Sequence, residues 1–249
     1  MRIFYGLIAV MLIAVSSIAG EIKVAVAANV QNAFDDLIKV FNKNYPDIKV
    51  LPTFGPSGAF ATQIKNGAPF DLLLSADTKF PTELYDSGFA VSKPVVYAQG
   101  AIVLFSTKGL DLSKGLEILK DSKVIKISIA NPNTAPYGRA SVEALKNAKV
   151  YDAIEKKIVQ AENIGQVVAQ VVAAADIGFP AKSAFLGRKN EYKEGIHWVN
   201  VNPDLYTPIA QGIIIVKASE KNADAKKFYD FILGEKSKKI FTDFGYLVK

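Results

Sequence analysis

The serine at position 57 is the first residue whose setting suggests chemistry. It lies in FGPSGAFATQI, residues 54–64, where a strand-like run ends in a Gly-Pro turn and a helical pattern begins. A hydroxyl at the start of a helix can cap the first turn or donate to a bound group. Ser57 is therefore a candidate hydrogen-bond donor to an oxygen-rich ligand.

Three other strand-to-helix loops have a similar composition: AANVQNAF from residue 27, NPNTAPYGRA from residue 131 and AENIGQVV from residue 161. Each places small, amide or hydroxyl residues where the first N–H groups of a helix have no intrahelical partner. A helix N-terminus carries about +0.5 charge, so four converging termini would offset about two negative charges. For any single loop an ordinary helix cap is the simpler interpretation, and the prediction of a dianion site depends on all four occurring together.

The loops contain almost no charged residues, Glu162 and the peripheral Arg139 being the exceptions. A tetrahedral dianion accepts hydrogen bonds at every oxygen and donates none. A pocket made only of donors would leave the proton of hydrogenphosphate without an acceptor, at a cost of about 1 to 3 kcal/mol. Sulfate carries no such proton, so we expect it to be excluded by the size of the pocket.

These loops need a scaffold, and the sequence predicts an α/β fold. Short runs rich in Val and Ile alternate with helical patterns, which indicates mostly parallel sheets with crossover helices. The runs at 101–105 and 212–216 bracket a block with strands and helices of its own. We expect one lobe from residues 20–98 and 210–249 and a second from residues 99–209, joined by two hinge strands with a cleft between the lobes.

Residues 1–19 have the composition of a secretory signal peptide. Arg2 precedes an apolar run, and small residues follow, with Ala19 the expected cleavage point and Gly20 nearly as suitable. A membrane anchor is the alternative, although the segment is short for a span. The chain has no cysteine, which excludes a disulfide scaffold, a thiol nucleophile, a thiolate metal site and a lipid-modified cysteine. We therefore expect a periplasmic monomer.

An enzyme is the main alternative from a different class. Residues 55–58 resemble the nucleophile elbow of a serine hydrolase that would use Ser57, but that motif needs glycine at the position of Ala59. The single histidine, His197, lies beside Trp198 in a strand-like run and is interpreted as structural. The formal net charge is +6, yet lysines alternate with acidic residues along the helices. Neither an enzyme nor a nucleic-acid-binding protein is expected.

Together the four loops resemble the periplasmic molybdate-binding proteins of ABC importers. The similarity covers the whole chain after the signal segment, and FGPSGAFATQIKNGAPFDLLLSAD is its most specific part, with IKVAVAANVQNAFDDL, ANPNTAPYGRASVEAL, AENIGQVVAQV and KKFYDFILGEKSKKIFTDFGY supporting it. The resemblance implies a two-lobed type II periplasmic-binding fold. It also implies molybdate or tungstate as the ligand, no cofactor, and delivery of the ligand to an ABC permease.

The resemblance also implies a set of site residues. Ser57 would give its hydroxyl and its amide, Asn29 its amide and its side-chain NH2 in place of a serine found in many members, and two further positions their backbone N–H groups only. Ala181 stands where some members have a tyrosine hydroxyl, so one donor is in doubt and Tyr137 is expected to close the pocket instead. The predicted ligand residues are Asn29, Ser57, Tyr137 and Ile164, with Ala28, Gly58 and Ala181 as possible additions.

Other ligands remain open within the binding-protein class. Sulfate, phosphonate and ferric-ion carriers are the nearest alternatives, and an intracellular sensor with the same fold is a further one. Ferric sites use tyrosine and carboxylate oxygens, whereas these loops offer amides and hydroxyls. The signal segment argues against the intracellular sensor.

Overall fold

The computed structural model describes residues 20–187 and 191–248, so the predicted signal peptide lies outside the described residues. Ten strands occur in the described part: β1 (Gly20–Ala27), β2 (Ile48–Gly55), β3 (Leu72–Leu74), β4 (Val95–Gly100), β5 (Val103–Phe105), β6 (Ile127–Ala130), β7 (Ile158–Ala161), β8 (Ile177–Gly178), β9 (Trp198–Asn200) and β10 (Ile209–Ile215). The α-helices of the same residues are α1 (Gln31–Asn42), α2 (Ser57–Lys65), α3 (Lys79–Asp86), α4 (Pro136–Asn147), α5 (Tyr151–Ile154), α6 (Ile164–Ala173), α7 (Ala223–Leu233) and α8 (Glu235–Asp243).

The strands form two five-stranded sheets. The first has the order β2-β1-β3-β10-β4 and the second the order β7-β6-β8-β5-β9. In each sheet the three strands at one side run parallel, and the other two pairings are antiparallel. The predicted two-lobed α/β fold is therefore confirmed, with sheets that are mixed rather than mostly parallel.

Both faces of the first sheet are buried, which explains its continuous apolar runs. Val24 and Val26 face a cluster made with α1, α7 and α8, in which Phe34, Phe41 and Phe228 pack edge to face. Ala25, between the two valines, points to the opposite cluster with α2 and α3. This alternation follows from the two-residue period of a strand.

The second sheet has its own core. Ile127 and Ile129 of β6 pack in a large cluster with α4 and α6, while Phe105 of β5 belongs to an aromatic cluster that includes Phe185 and Trp198. Two sheets, each with its own main core, make two lobes, and the second core extends to Ala27, Ala28 and Ala76 of the first lobe. The face between the lobes is where a ligand site can form.

The chain crosses between the sheets twice, at two neighbouring places. It leaves the first sheet after Gly100 and enters β5 at Val103, and it returns between Asn200 and Ile209. Gly100 pairs with Ile209 across β4 and β10, so the two crossings begin and end side by side. No helix among the described residues is both long and apolar enough to cross a membrane.

Candidate ligand-binding site

A small pocket lies where the two lobes meet. It has about 190 Å³ of atom-free space, which includes its opening to solvent, and no charged side chain is among its lining residues, which are Ala27, Ala28, Asn29, Gly55, Pro56, Ser57, Ala76, Ala135, Pro136, Tyr137 and Ile164. All four predicted loops contribute to this list. The pocket therefore brings together the four predicted ligand residues and Ala28.

Strand direction explains why the loops meet. β1 and β2 are parallel, with Ala27 opposite Gly55, and their following helices begin at the same edge of the first sheet. β6 and β7 are parallel in the same way, with Ala130 opposite Ala161, and α4 and α6 follow. The carboxyl edges of parallel strands are where α/β folds place their ligands.

Ser57 is 1% exposed and begins α2. Its Oγ accepts a hydrogen bond of 2.9 Å from the backbone N–H of Ala76, at the end of β3. Because that bond uses an acceptor site of the hydroxyl, the hydroxyl proton remains available for a group in the pocket. Ser57 is thus oriented as a donor, with no carboxylate or imidazole bonded to it among the described residues to activate it as a nucleophile.

Tyr137 and Ile164 present backbone N–H groups. Pro136 occupies the first position of α4 and has no N–H, so the amide of Tyr137 is the first that the helix offers. Ile164 begins α6, directly after Asn163, whose side chain caps the helix by accepting from Gln166. Amides in the first turn have no intrahelical partner and can bind an anion.

The hydroxyl of Tyr137 is bonded to Gln211, which lies outside the pocket lining. Its hydroxyl accepts from Nε2 of Gln211 at 3.3 Å and sits over Gly100, where a Cβ atom would lie 1.9 Å from the Tyr137 Oη. Burial raises the pKa of Tyr137 well above its ordinary value, with the neighbouring Tyr246 adding to the shift. Tyr137 therefore lines the pocket while its neutral hydroxyl is held by Gln211.

The side-chain NH2 of Asn29 was expected to donate to the ligand, but in the structure it is bonded to other residues. Its Nδ2 donates to Oε1 of Gln211 at 2.8 Å and to the hydroxyl of Tyr246 at 2.9 Å, which uses both hydrogens of the amide. Its backbone oxygen accepts from Ser183 at 3.0 Å and from Tyr246 at 2.8 Å. In this arrangement only the backbone N–H of Asn29 is free to donate to a ligand.

Two of the possible additional residues do not offer a donor to the pocket. The N–H of Gly58 donates to the backbone oxygen of Thr134 at 3.0 Å, which ties α2 of the first lobe to the α4 loop of the second. Ala181 lies outside the pocket, in a bridge with Ile102 and beside a neighbouring cavity that Ala28 and Ile164 also line. Ala181 therefore supplies no donor to the pocket in place of the tyrosine hydroxyl that some family members have.

The sequence prediction missed the buried polar residues behind Asn29. Gln211 is fully buried and accepts at Oε1 from Tyr97 at 3.0 Å as well as from Asn29. Tyr246, 217 positions after Asn29, completes the network with Ser183. A signal existed, because Gln211 interrupts the otherwise apolar strand IAQGIII, and a buried glutamine needs partners.

An ion pair between the lobes lies next to the pocket. Asp77 and Arg139 are joined by a charge-assisted hydrogen bond, and their side chains are 14% and 33% exposed. The Arg139 guanidinium also stacks over the ring of Phe80, 5.1 Å from its centre. Burial raises the pKa of Asp77 from its ordinary value, and the charge of Arg139 opposes this shift. Arg139 is therefore near the pocket but occupied by Asp77.

The residues of the enzyme alternative are not assembled. His197 accepts from the N–H of Lys193 at 3.0 Å and packs against Tyr192, and it is not among the residues that line the pocket. Within residues 20–187 and 191–248 there is no group of three or more His, Cys, Asp or Glu that could hold a metal ion.

Similarity to known proteins supports the fold and the family. A family model described as bacterial extracellular solute-binding protein matches residues 22–247. The chain is 36% identical to the molybdate-binding protein ModA of Azotobacter vinelandii, over 94% of this chain and 93% of the relative. It is 34% identical to ModA of Rhodobacter capsulatus, over 96% of this chain and 93% of the relative.

Solved structures agree with these relatives. The Azotobacter vinelandii periplasmic molybdate-binding protein superposes with a TM-score of 0.84 at 32% identity, covering 92% of this chain and 99% of that one. The sulfate-binding protein SubI of Mycobacterium tuberculosis has a TM-score of 0.70 at 12% identity, a likeness of fold alone. The relatives are substrate-binding proteins and not enzymes. This chain belongs to the bacterial extracellular solute-binding protein family, in the group that contains the periplasmic molybdate-binding proteins.

Proposed function

We propose that this protein binds molybdate in the pocket between its lobes and delivers it to an ABC permease. The observation that carries the proposal is the pocket itself, where four loops meet around a space with no charged side chain in its lining. Relatives that match almost the whole chain are named as molybdate-binding proteins, which supports this choice of anion.

The donors suit a fully deprotonated tetrahedral anion. The hydroxyl and amide of Ser57 and the amides of Asn29, Tyr137 and Ile164 make five donors for the four oxygens of such an anion, each of which can accept more than one hydrogen bond. A hydrogen bond to a charged acceptor contributes roughly 1.5 to 3 kcal/mol, so about five or six such bonds offset much of the desolvation of a small dianion. Tungstate has the same charge and shape, and we expect it to bind as well.

Both lobes contribute donors, which gives a reason for closure around the ligand. Asn29 and Ser57 belong to the first lobe, whereas Tyr137 and Ile164 belong to the second. A ligand held from both sides stabilises the closed form by the difference in its affinity for the closed and open forms. We propose that a permease recognises this closed form, and that the protein works in the periplasm as a monomer after removal of residues 1–19.

The main experiment is titration calorimetry of the purified protein with molybdate, tungstate, sulfate and phosphate. We expect molybdate and tungstate to bind at least 100-fold more tightly than sulfate, with no measurable heat for phosphate. Sulfate binding as tight as molybdate binding would instead support the sulfate-carrier alternative.

Replacing Ser57 by alanine tests the site. The variant loses one charge-assisted donor, so we expect its molybdate dissociation constant to rise about 10-fold or more, which is about 1.4 kcal/mol or more. The matched control is Ser92→Ala, because Ser92 is exposed and outside the pocket lining, with its hydroxyl bonded to the neighbouring Lys93 oxygen and to the side chain of Tyr229. Equal affinities of the two variants would contradict the assignment.

A further inference from the structure

The side-chain oxygen of Asn29 is the starting point. Within the described residues it is the one buried side-chain nitrogen or oxygen with no hydrogen-bond partner. Asn29 is 4% exposed and lines the pocket, while both partners of its Nδ2, Gln211 and Tyr246, stand outside the lining. Because Nδ2 is bonded to residues outside the lining, Oδ1 is the end of the amide that remains for the pocket.

A bare acceptor in that place conflicts with an anion. A carbonyl oxygen carries partial negative charge and repels the oxygens of a deprotonated oxyanion, whereas the NH2 group of the same amide would donate to them. The two ends of an amide have nearly the same shape, so a half-turn of the Asn29 amide exchanges them without a steric cost. The question is whether the surrounding network can accept the exchange.

Whether the Asn29 amide can turn depends on Gln211. At present its Oε1 accepts from Nδ2 of Asn29 at 2.8 Å and from the Tyr97 hydroxyl at 3.0 Å, and its Nε2 donates to the Tyr137 hydroxyl at 3.3 Å. If only Asn29 turned, its Oδ1 would face Oε1 of Gln211, two acceptors in contact. Asn29 can therefore present its NH2 group to the pocket only if Gln211 also turns.

When both amides turn, every contact survives with donor and acceptor exchanged. Nε2 of Gln211 then donates to Oδ1 of Asn29 and to the Tyr97 hydroxyl, and its Oε1 accepts from the Tyr137 hydroxyl. Tyr97 keeps a recipient for its own proton in the backbone oxygen of Ser75, at 3.3 Å. Hydroxyl groups both donate and accept, which is why three tyrosines around two amides permit the reversal.

The network of Asn29 tolerates the reversal on its other side too. Tyr246 has one proton, which would move from the backbone oxygen of Asn29 to Oδ1, and the backbone oxygen would keep its bond from Ser183 at 3.0 Å. The orphaned acceptor disappears, because the atom on the pocket side becomes a donor that the anion satisfies.

We propose that Gln211 is a positioning residue for the ligand: it turns together with Asn29 when an oxyanion enters, so that the Asn29 side chain donates to the anion. This inference rests on the proposed function, because it assigns the side chain of one residue in that same pocket. The turn adds a donor that the present orientation of Asn29 does not supply. It also couples β10, the strand that contains Gln211, to the occupancy of the pocket.

The direct test is NMR of the uniformly 15N-labelled protein, titrated with molybdate. We expect the side-chain NH2 signals of both Asn29 and Gln211 to shift and to saturate together, because the partners of both groups change. Asn29→Ser and Gln211→Met identify the two signals, and the NH2 signal of Gln170, bonded to Ser128 at a distance from the pocket, serves as the unaffected reference. A shift at Asn29 with none at Gln211 would overturn the proposal.

A mutant cycle gives a second, independent test. A glutamate at 211 cannot donate when ionised, so Gln211→Glu should hold Asn29 in the present orientation. We expect this change to raise the molybdate dissociation constant at least 5-fold more in the protein with Asn29 than in the Asn29→Ala protein, where only the added charge acts. Gln170→Glu is the control and should change affinity less than 3-fold. Equal penalties in both backgrounds would contradict the coupling.

The outcomes separate this inference from the proposed function. Failure of the wild-type protein to bind molybdate in calorimetry would overturn the proposed function and this inference with it. Molybdate binding with unchanged Gln211 signals would leave the proposed function in place and overturn only the positioning role.

Discussion

The pocket and the neighbouring ion pair lie between the same two lobes but neutralise charge in different ways. The pocket has only neutral groups in its lining, the hydroxyl of Ser57 and first-turn amides among them. In the ion pair, Asp77 and Arg139 meet directly, one from each lobe. Pro136 borders both regions, so they are separated by little more than the start of α4.

The difference shows how an anion site can work beside a cation. Arg139 is two residues from Tyr137, yet Asp77 occupies its guanidinium, so it is not available to an anion in the pocket. The ion pair supplies a charged contact between the lobes, and under the proposed function the ligand is held instead by dipoles whose direction is fixed by the helices. The charged contact between the lobes and the proposed recognition of the ligand thereby involve different residues.

Putting a charge into the neutral region should have the largest effect. We expect Ser57→Asp to weaken molybdate binding at least about 1,000-fold, about 4 kcal/mol, because a carboxylate would replace a donor where no cation can balance it. Calorimetry measures the loss, and circular dichroism establishes that the variant folds. The control Ser92→Asp adds the same charge at an exposed site and should change affinity less than 3-fold. A loss of less than 10-fold for Ser57→Asp would mean that the pocket is not the anion site.

Breaking the charged region should have a smaller effect. Arg139→Met leaves the Asp77 carboxylate largely buried without its partner, so we expect a loss of about 1 to 2 kcal/mol in the free energy of unfolding and about 3- to 10-fold in molybdate affinity. Adding Asp77→Asn to this variant should restore most of the stability. Urea unfolding and calorimetry measure both quantities.

The control for this pair is Lys79→Met. Lys79 and Glu83 form an exposed pair on α3, and such pairs contribute about 0 to 1 kcal/mol. If Arg139→Met costs no more than Lys79→Met, the ion pair between the lobes does not stabilise the closed form.

The smallest expected effect is the pH dependence of molybdate binding. It should distinguish the neutral pocket from the ion pair of Asp77 and Arg139. Burial raises the pKa of Tyr137 and Tyr97 well above the ordinary value and that of Tyr246 to about 12, so all three tyrosines near the pocket stay neutral. We expect the molybdate dissociation constant to change less than 2-fold between pH 6 and 8. A steep change in calorimetry would reveal an ionisable ligand residue.

The stability contributed by Asp77, in contrast, should depend on pH. Its raised pKa means that the folded protein holds this proton more tightly than the unfolded chain, whose pKa is near 3.8. The free energy of unfolding contributed by Asp77 therefore falls as pH rises from about 3.8 through the raised value. Urea unfolding across this range should show a shallower decrease with pH in Asp77→Asn than in the wild type.

Much of the fold could be predicted because burial leaves a pattern in the sequence. Residues 24–28 are all apolar, because both faces of the first sheet are covered there. Strand direction leaves no such pattern, so the antiparallel pairing of β10 with β3 and β4 was not predicted. The chain returns to the first sheet from the other lobe, and only the three-dimensional arrangement sets the direction of that return.

The parts of the candidate site that depend on local sequence could be predicted. Ser57, Tyr137 and Ile164 could be identified because each lies at a strand-to-helix loop of distinctive composition, and the pocket contains all three. Gln211 could not be linked to Asn29, because 182 positions separate them and the contact depends on the folded chain. The amide of Gly58 was proposed as a donor for similar reasons, but its bond to Thr134 comes from the opposite lobe.

The bond between Asn29 and Tyr246 has a consequence for how this protein is made. These residues are 217 positions apart, one just after the first strand and the other near the last described residue. Contacts of such separation form late, because the intervening chain must be ordered first. The network behind the Asn29 side of the pocket would therefore be completed only after the segment that carries Tyr246 has docked on the first lobe.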